Sequence, residues 1–320
     1  MCSQLSDPHA VIVTNCTTRK RQGVPLARFP STKSVQTIEQ LASAWIGRVN
    51  NVKQPVPASD LYLGRSIVDA RQAATTIGAE LYVASAGLGL VHHADPVPSY
   101  NVTVSGGDGS IGPFLIQRGQ QPRDWWGAVN TAKGKRSALA KLVSRIKVDV
   151  VYLALPSNYL SLIAGELDSL ADRDLKKLRI FTSSFGRSQV PSRLNGAVMP
   201  YDDRLEALVN YRGTRADFPQ RAMLHFIEAL KAQSLDQSKA RSKVKRSLAP
   251  LDVPILPERI SATDLQLDKL IRKYWKAADG RSAELLRCLR DDALVRCEQS
   301  RFRRLWSAVK AEKQSRVGGR

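Results

Sequence analysis

The sequence predicts an α/β domain with a mainly parallel sheet flanked by helices, followed by a basic, all-helical C-terminal region. Four short runs are mostly apolar or β-branched and do not alternate with polar residues, which is typical of strands buried on both faces of a sheet. Helical patterns separate these runs, and strands that alternate with helices favour a parallel sheet. We therefore expect an α/β domain over 1–214 and a helical region over 215–320.

The predicted strands and helices alternate along the first domain. The strands are 10–14 (AVIVT), 81–85 (LYVAS), 148–155 (VDVVYLAL) and 178–183 (LRIFTS). The helices are 35–48, 66–77, 125–146 and 159–171. In the second region we expect a helix at 218–233, a basic, linker-like stretch at 237–250 and further helices from 261 onward.

The chain carries an unusual excess of positive charge. Its 320 residues contain 49 Lys and Arg against 29 Asp and Glu, for a formal net charge of +20. The excess is densest from Gln237 to Arg320, where 21 basic residues stand against 10 acidic ones. A field of this sign attracts polyanions, and nucleic acid is the partner that it favours. The alternative is a basic protein without such a partner.

Other features of the composition narrow the class of protein. The four cysteines form no CxxC pair and have no histidine at zinc-ligand spacing, so we expect no metal and no other cofactor. The longest apolar run is too short to cross a bilayer, and the N-terminus lacks the apolar segment of a signal peptide. These observations predict a cytoplasmic protein without a membrane partner.

Small polar residues follow each of the four predicted strands. Because ligands of α/β sheets bind outside the carboxyl ends of the strands, four such tips at one edge would form a polar pocket. At the first tip, Asn15 could orient a water molecule or hold the edge of a base. Cys16 beside it is either a nucleophile or a small buried thiol, and Thr17 is a further candidate for substrate contact.

Three consecutive cations follow this first tip. Lys20 could neutralise a phosphate or the negative charge that develops on a leaving base. Arg19 and Arg21 flank it and are candidates for DNA contact. The alternative is an ordinary solvated loop.

The second tip begins the most distinctive stretch, YVASAGLGLVHHADPVPSYNVTVSGG (82–107). Ser85 ends the strand, and Gly87 permits close approach of the backbone to a ligand. Asp95 could serve in acid–base or electrostatic catalysis. Tyr100 is a further candidate for substrate contact.

Two more groups extend the expected pocket. Asp60 is a second candidate carboxylate, and Tyr62 and Arg65 just beyond it could stack on or clamp a substrate. At the last tip, Ser183 is a candidate for substrate contact, and Phe185 could stack on a base.

The C-terminal region contains a pattern typical of a helix-turn-helix. The segment SAELLRCLRDDAL (282–294) predicts a helix, VRCEQ a turn, and SRFRRLWSAVK (300–310) a second helix suited to the major groove. The arginines expected to face phosphates or base edges are Arg301, Arg303 and Arg304. The alternative is a basic helical bundle whose arginines are simply solvated.

Three segments carry a resemblance to known families. They are VTNCTTRKR, DLYLGRSIVDAR and LYVASAGLGLVHHADPVPSYNVTVS. Together they resemble an uncharacterised bacterial α/β family with a strand–CxxxK start and an SA-x-GL…D…PY-x-x-T block, over roughly residues 10–190. The arrangement is also similar to the uracil-DNA glycosylase superfamily and to a tRNA-modifying domain of archaeosine synthases. Phage-defence DNA glycosylases that excise heavily modified bases are a further relative that the arrangement resembles.

The glycosylase resemblance implies roles for particular residues. Asn15 stands where that superfamily has an Asp or Asn that positions the attacking water. Ser183 and Phe185 stand where it usually has a histidine that stabilises the departing base, which is a departure from the family pattern. The archaeosine-synthase start CSxxKP resembles the stretch from Cys16 to Lys20, with Arg21 in place of the proline.

We therefore predict a DNA glycosylase that hydrolyses the N-glycosidic bond of a modified base, hypermodified phage bases included, and leaves an abasic site. Double-stranded DNA would bind the helical region, and the target base would be flipped into the pocket. Asn15 would orient water, and Asp95 or Asp60 would stabilise the sugar cation or activate that water. Two alternatives remain open: a non-catalytic binder or sensor of modified nucleic acid or nucleotide, and a tRNA-base-modifying enzyme that uses Cys16 or Lys20 covalently.

Overall fold

The structure is a computed structural model that describes residues 9–30, 37–104, 109–255 and 258–317. The chain forms two compact units, Met1–Val253 and Pro254–Arg320. The first unit is an α/β domain with a mostly parallel sheet flanked by helices, as predicted. Its observed boundary lies after Val253 rather than after residue 214, because helices beyond 214 pack on the sheet.

Five strands form the sheet of the first unit. They are β1 (Ala10–Asn15), β2 (Glu80–Ser85), β3 (Gly89–His92), β4 (Val150–Ala154) and β5 (Leu178–Phe181). Their order across the sheet is β3–β2–β1–β4–β5. The four strands that the sequence predicts are parallel, and only the unpredicted β3 runs antiparallel, beside β2.

The connections from the central strand define where a ligand is expected. From β1 the chain first forms β2 on one side, and later β4 on the other side. In doubly wound sheets the crevice at such a switch point, outside the carboxyl ends of the strands, is the usual ligand site. The end of β1 at Asn15 and the end of β4 at Ala154 border this point.

Helices cover both faces of the sheet. They are α1 (Ile38–Asn50), α2 (Arg65–Ile77), α3 (Pro122–Ala132), α4 (Ala138–Val143), α5 (Ser157–Asp168), α6 (Phe218–Glu228) and α7 (Gln237–Leu248). Helices α1, α3, α4 and α5 share a core with Val11 and Val13, whereas α2, α6 and α7 share a core with Ile12. Alternate β1 residues therefore contribute to two different cores, and this explains why its sequence is apolar throughout.

Short elements connect this framework. Two-residue strands are Leu26–Ala27, Val56–Pro57, Pro96–Val97 and Ser99–Tyr100. Short α-helices are Ala58–Leu61, Gly112–Gln117, Asp172–Leu175 and Ser184–Arg187. The 3₁₀-helices are Ser192–Ala197, Asp203–Ala207 and Val209–Tyr211.

Two predicted segments differ from the structure. The single helix expected over 125–146 is interrupted between α3 and α4, where Gly134 and Ser137 adopt positive φ angles of 68° and 54°. The linker-like stretch at 237–250 is instead mostly the helix α7. Its residues Ala240, Val244 and Leu248 recur at intervals of four and are buried, so they form an apolar stripe that the surrounding cations obscured.

The second unit has its own small core. Its helices are α8 (Asp264–Tyr274), α9 (Ser282–Arg287) and α10 (Gln299–Val317), and a π-helical turn, Cys288–Asp292, extends α9. The unit is not all-helical, because Ile260–Ser261 and Val295–Arg296 pair as parallel strands. That second strand lies within the segment predicted as the turn of a helix-turn-helix, and the motif itself stays a prediction.

Candidate functional site

Six side chains with polar groups lie together at the carboxyl ends of β1 and β2. We call this group the tyrosine cluster: Cys16, Lys20, Tyr62, Ser85, Tyr100 and Tyr159. Tyr100 is its centre, because its Oη lies 2.8 Å from Tyr62 Oη and 2.6 Å from Ser85 Oγ. Ser85 Oγ also accepts a hydrogen bond of 2.9 Å from the backbone N–H of Leu88.

Cys16 connects the cluster to the sheet. Its backbone N–H donates to the carbonyl of Ala84 at 2.9 Å, which fixes the residue at the edge next to β2. Its Sγ lies 2.9 Å from the Oη of Tyr159, in the first turn of α5. The side chain is only 5% exposed, so the thiol is enclosed by its neighbours.

The loop after β1 places Lys20 above this network. Lys20 forms an isolated antiparallel bridge with Tyr62, so the loop runs alongside the segment that carries this tyrosine. Nζ of Lys20 lies 4.2 Å from the centre of the Tyr100 ring and donates to the carbonyl of Thr17 at 3.1 Å. Thr17 Oγ1 in turn donates to the carbonyl of Arg19 at 2.8 Å, which stabilises the turn.

The enclosed position of the cluster changes its acid–base properties. Burial lowers the pKa of the Lys20 ammonium, and the neighbouring Cys16 offsets part of this effect. Burial raises the pKa of the phenols of Tyr62, Tyr100 and Tyr159, so all three are neutral near pH 7. A lysine with a lowered pKa has a larger fraction of free amine at neutral pH and is a stronger nucleophile.

Gly87 lets the second strand tip approach the ring of Tyr100. A Cβ at Gly87 would lie 2.9 Å from Cδ2 of Tyr100, closer than carbon atoms tolerate. Two tryptophans hold this turn, since Trp45 Nε1 donates to the carbonyl of Gly87 and Trp125 Nε1 to that of Ala86. The close approach predicted for Gly87 is therefore made to a tyrosine ring of the chain itself.

The switch point between β1 and β4 is occupied by an amide from α6. Gln220 Nε2 donates to Thr14 Oγ1 at 2.9 Å, to Asn15 Oδ1 at 2.8 Å and to the carbonyl of Ala154 at 2.7 Å. Asn15 Nδ2 donates to the carbonyl of Cys16 at 2.9 Å. Each end of the buried Asn15 amide thus makes a hydrogen bond within the fold, and its role in orienting a water molecule stays a prediction.

Asp95 lies away from these strand tips. The antiparallel strand β3 pairs His92 with Tyr82, three positions before the end of β2 at Ser85. The turn that carries Asp95 is therefore displaced by about 10 Å along the strand, toward the end of the sheet where the parallel strands begin. There its carboxylate accepts from the backbone N–H of His92 at 3.1 Å and lies 3.7 Å from Lys135 Nζ.

The remaining pocket candidates lie outside the tyrosine cluster. Asp60 is exposed, and its short helix contacts the Asp95 turn, because the backbone N–H of Ala58 donates to the Asp95 carbonyl at 2.9 Å. Arg65 pairs with Asp69 at 3.3 Å. Ser183 accepts a hydrogen bond at the start of a short helix, and Phe185 in that helix is 71% exposed.

The five arginines predicted to contact DNA fall into two groups. Arg301 Nε and an Arg304 terminal nitrogen each contact a carboxylate oxygen of Asp264 at 2.6 Å. These bonds lower the pKa of the Asp264 carboxyl, so the three groups form a charged network within the second unit. Arg19, Arg21, Arg303 and Arg304 are all exposed, and within the described residues Arg304 is the one of these four that pairs with a carboxylate.

The structure thus brings together six of the predicted substrate-contacting residues: Cys16, Lys20, Tyr62, Ser85, Gly87 and Tyr100. Lys20 is half-buried, whereas the rings of Tyr62 and Tyr100 and the hydroxyl of Ser85 are buried. These buried groups position the lysine and present no surface for a substrate to stack on.

Two participants were not predicted from the sequence. Tyr159 directly follows the polar tip of the third predicted strand, so its position at that tip was an available signal. Gln220 lies in α6, in which the ten residues 218–227 are all buried. A glutamine in a helix pattern suggests a solvent-facing side chain, and no sequence signal indicated its contact with the sheet.

Within the residues that the structure describes, no three His, Cys, Asp or Glu side chains are grouped as ligands for a metal ion. None of the helices in those residues combines the length and the apolar character needed to span a membrane. Comparison of the chain with protein-family models, with curated proteins and with solved structures finds no match.

Proposed function

We propose that this protein cleaves the N-glycosidic bond of a modified base in DNA, with the amine of Lys20 as the attacking group. The observation that carries the proposal is the position of this amine above the ring of Tyr100, with its pKa lowered by burial. Its location at the carboxyl edge of a parallel sheet is where α/β domains bind ligands. The net charge of +20 supports a polyanionic substrate.

In the proposed reaction the base first leaves the helical stack, at a cost of a few kcal/mol that phosphate contacts offset. The free amine attacks C1′ of the sugar, and the C1′–N bond breaks with its electron pair passing to the base, which takes up a proton. The C1′–O4′ bond then opens as a C1′=N bond forms, and a proton moves from nitrogen to O4′. Water hydrolyses this imine, which restores the lysine and leaves an abasic sugar.

The neighbours of Lys20 contribute to this step in different ways. The face of the Tyr100 ring stabilises the cationic nitrogen that forms during attack. Tyr62 and Ser85 fix the orientation of that ring through its hydroxyl. This assignment is an alternative to the hydrolytic roles expected for Asn15, Asp60 and Asp95. It is favoured because the Asn15 amide is hydrogen-bonded within the fold and Asp95 lies beside Lys135.

The test is a borohydride trap on the full chain, with duplex oligonucleotides that carry modified bases, hypermodified phage DNA and tRNA as substrates. Borohydride reduces the imine to a stable amine, so wild type is expected to form a covalent complex and release free base. Lys20→Ala and Lys20→Arg are expected to form none, and the arginine variant keeps the positive charge needed for binding. A trap on tRNA alone identifies the tRNA-modifying alternative.

Lys133 supplies the matched control. Burial also lowers its pKa, to about 8, and its Nζ donates to the carbonyl of Leu88 at 2.8 Å. Lys133→Ala is expected to retain the trapped complex. This result would show that the reaction depends on the position of Lys20 and not only on a lowered lysine pKa. Base release that survives in Lys20→Ala contradicts the role of this amine. DNA binding without base release on any modified DNA contradicts the glycosylase itself.

A second candidate function is a non-catalytic binder of modified nucleic acid. It is favoured by the engaged amide of Asn15 and by the distance of Asp95 from the strand tips. It predicts tight, salt-dependent binding with no covalent complex and no free base.

Duplex contact by a helix-turn-helix over 282–310 belongs to the same proposal. Arg303 is the residue best suited to a groove contact, because it is exposed while Arg301 and Arg304 bind Asp264. The reaction proposed for Lys20 requires a bound nucleic acid but not this particular motif.

A further inference from the structure

The second unit contains an open groove between the segment that follows α8 and the middle of α10, with a volume of about 850 Å³. We call it the tryptophan groove, and the residues that define it are Trp275, Lys276, Arg281, Trp306, Lys310 and Lys313. Both tryptophans are half-buried, so each ring packs on the core of the unit and leaves part of its surface open. The groove thus presents two large aromatic rings among four cations.

A glycine turn fixes the two rings in place. Trp306 Nε1 donates to the carbonyl of Gly280 at 2.9 Å. Gly280 has a positive φ of 63°, and a Cβ there would lie 2.9 Å from Cζ2 of Trp275. Only glycine satisfies both the backbone conformation and the contact, so Trp275 and Trp306 are held against the same turn.

Among the residues that the structure describes, the cations of the groove have no acidic partners. Lys310 Nζ lies 4.9 Å from the centre of the Trp306 ring, and Lys313 Nζ lies 5.6 Å from that of Trp275. Within 258–314 neither these lysines nor Lys276 and Arg281 form an ion pair, and Asp279 is the one acidic residue that lines the groove. The positive charge is therefore available to an external anion.

We infer that the tryptophan groove binds single-stranded nucleic acid, with unpaired bases stacked on Trp275 and Trp306 and phosphates beside the lysines. Aromatic rings interspersed with cations are the arrangement by which proteins hold single strands, because every base has a flat face and every linkage a charge. In a duplex the bases are stacked on one another and cannot reach the rings. An acidic peptide would neutralise the cations and leave the ring faces without a matching partner.

This inference extends the proposed function by adding an unpaired strand as a ligand, and it does not rest on the reaction of Lys20. It also differs from the helix-turn-helix interpretation, since the residues that contact nucleic acid are lysines and tryptophans rather than Arg301, Arg303 and Arg304. The two interpretations predict different preferred ligands, a single strand and a duplex.

The experiment measures intrinsic tryptophan fluorescence of the full chain during titration with a short oligothymidylate, an oligouridylate and a matched duplex. The other three tryptophans, Trp45, Trp125 and Trp126, are at most 2% exposed, so a change in emission reports on the groove. We expect saturable quenching by the single strands and weaker quenching by the duplex. Comparison of the two single strands shows whether DNA or RNA is preferred.

Variants assign the effect to particular contacts. Trp275→Leu is expected to weaken binding by about tenfold or more, and Trp275→Phe by less, because phenylalanine still stacks. Lys310→Glu changes an exposed side chain and is expected to weaken binding. The slope of the logarithm of the binding constant against the logarithm of the salt concentration is expected to become shallower by about 0.7 for each phosphate contact that is lost. If circular dichroism shows that Trp275→Leu does not fold, the binding measured for Lys310→Glu tests the inference instead.

Lys269→Glu is the matched control, because Lys269 is exposed in the second unit, does not line the groove and undergoes the same change of charge as Lys310→Glu. Lys20→Ala is expected to bind single strands like wild type, so loss of base release and loss of groove binding are distinguishable. Two results overturn the inference: binding that leaves tryptophan emission unchanged and tolerates Lys310→Glu, or a preference for duplex that Arg303→Gln abolishes.

Discussion

The two units each place a lysine over an aromatic ring, but they enclose the pair to different extents. In the first unit, Lys20 lies 4.2 Å from the ring centre of Tyr100, which is buried, and burial lowers the lysine pKa. In the second unit, Lys310 lies 4.9 Å from the ring centre of Trp306, and the lysine is exposed beside a half-buried ring. The same pairing therefore favours amine chemistry where it is enclosed and ligand binding where it is open.

Arginine ion pairs differ in the same way between the units. Arg221 in α6 is fully buried and contacts Asp217 at 2.7 Å and Glu206 at 2.8 Å. Arg272 in α8 contacts Asp268 at 2.7 Å and Glu312 at 2.6 Å, yet 39% of its side chain is exposed. The geometries are similar, so the comparison isolates the effect of burial on the energy of an ion pair.

The largest effect is expected when the buried pair is broken. Arg221→Met leaves the buried Asp217 and the partly exposed Glu206 without their partner, and we expect the free energy of unfolding to fall by about 3–5 kcal/mol. Urea denaturation at neutral pH measures the change. A loss below about 1 kcal/mol would mean that the first unit does not enclose its charges as described.

A smaller effect is expected from acid acting on His225. This buried histidine lies 2.9 Å from Tyr201 Oη, and burial lowers its pKa to about 4 from an ordinary value of 6.5. Between pH 6.5 and 4 the unfolded chain binds the proton and the folded chain does not, so stability falls as the pH is lowered, by on the order of 2 kcal/mol.

Urea midpoints at several pH values across this window measure the fall, and His225→Gln is the comparison. The variant has no imidazole to titrate, so its stability is expected to change less between pH 6.5 and 4. If stability falls equally with pH in wild type and variant, the acid sensitivity comes from other groups and not from His225.

The smallest effect is expected in the second unit. Arg272→Gln removes both exposed ion pairs, whose carboxylates are then solvated by water, and we expect the midpoint of thermal unfolding to stay within experimental error. Differential scanning calorimetry measures it. A loss of stability as large as that of Arg221→Met would contradict the expected difference between buried and exposed ion pairs.

Much of the first unit was predictable from short-range patterns. The four parallel strands are mostly apolar runs, because both of their faces are covered by helices. The positions of Cys16, Lys20 and Ser85 at strand ends followed from the same runs. The missing element was β3, whose four residues directly follow a turn and reverse the chain beside β2.

Asp95 shows why the site was only partly predictable. From the sequence it belongs to the same stretch as Ser85, and proximity along the chain suggested proximity in space. The reversal at β3 instead moves Asp95 toward the end of the sheet where the parallel strands begin. Tyr100, farther along the chain, returns to Ser85, and its Oη lies 2.6 Å from Ser85 Oγ. The direction of a connecting strand depends on which partner it pairs with, and a single sequence does not specify that pairing.

The sequence by itself determined the fold class, the excess of positive charge and the polar character of the strand tips, because apolar periodicity and composition are local properties. Only the tertiary structure decided which polar groups are enclosed and which are open. Gln220 reaches the end of β1 from more than 200 positions away, and Trp275 and Trp306 meet at one glycine turn. Burial sets the pKa of an amine and the energy of an ion pair, and burial depends on contacts between residues distant in sequence.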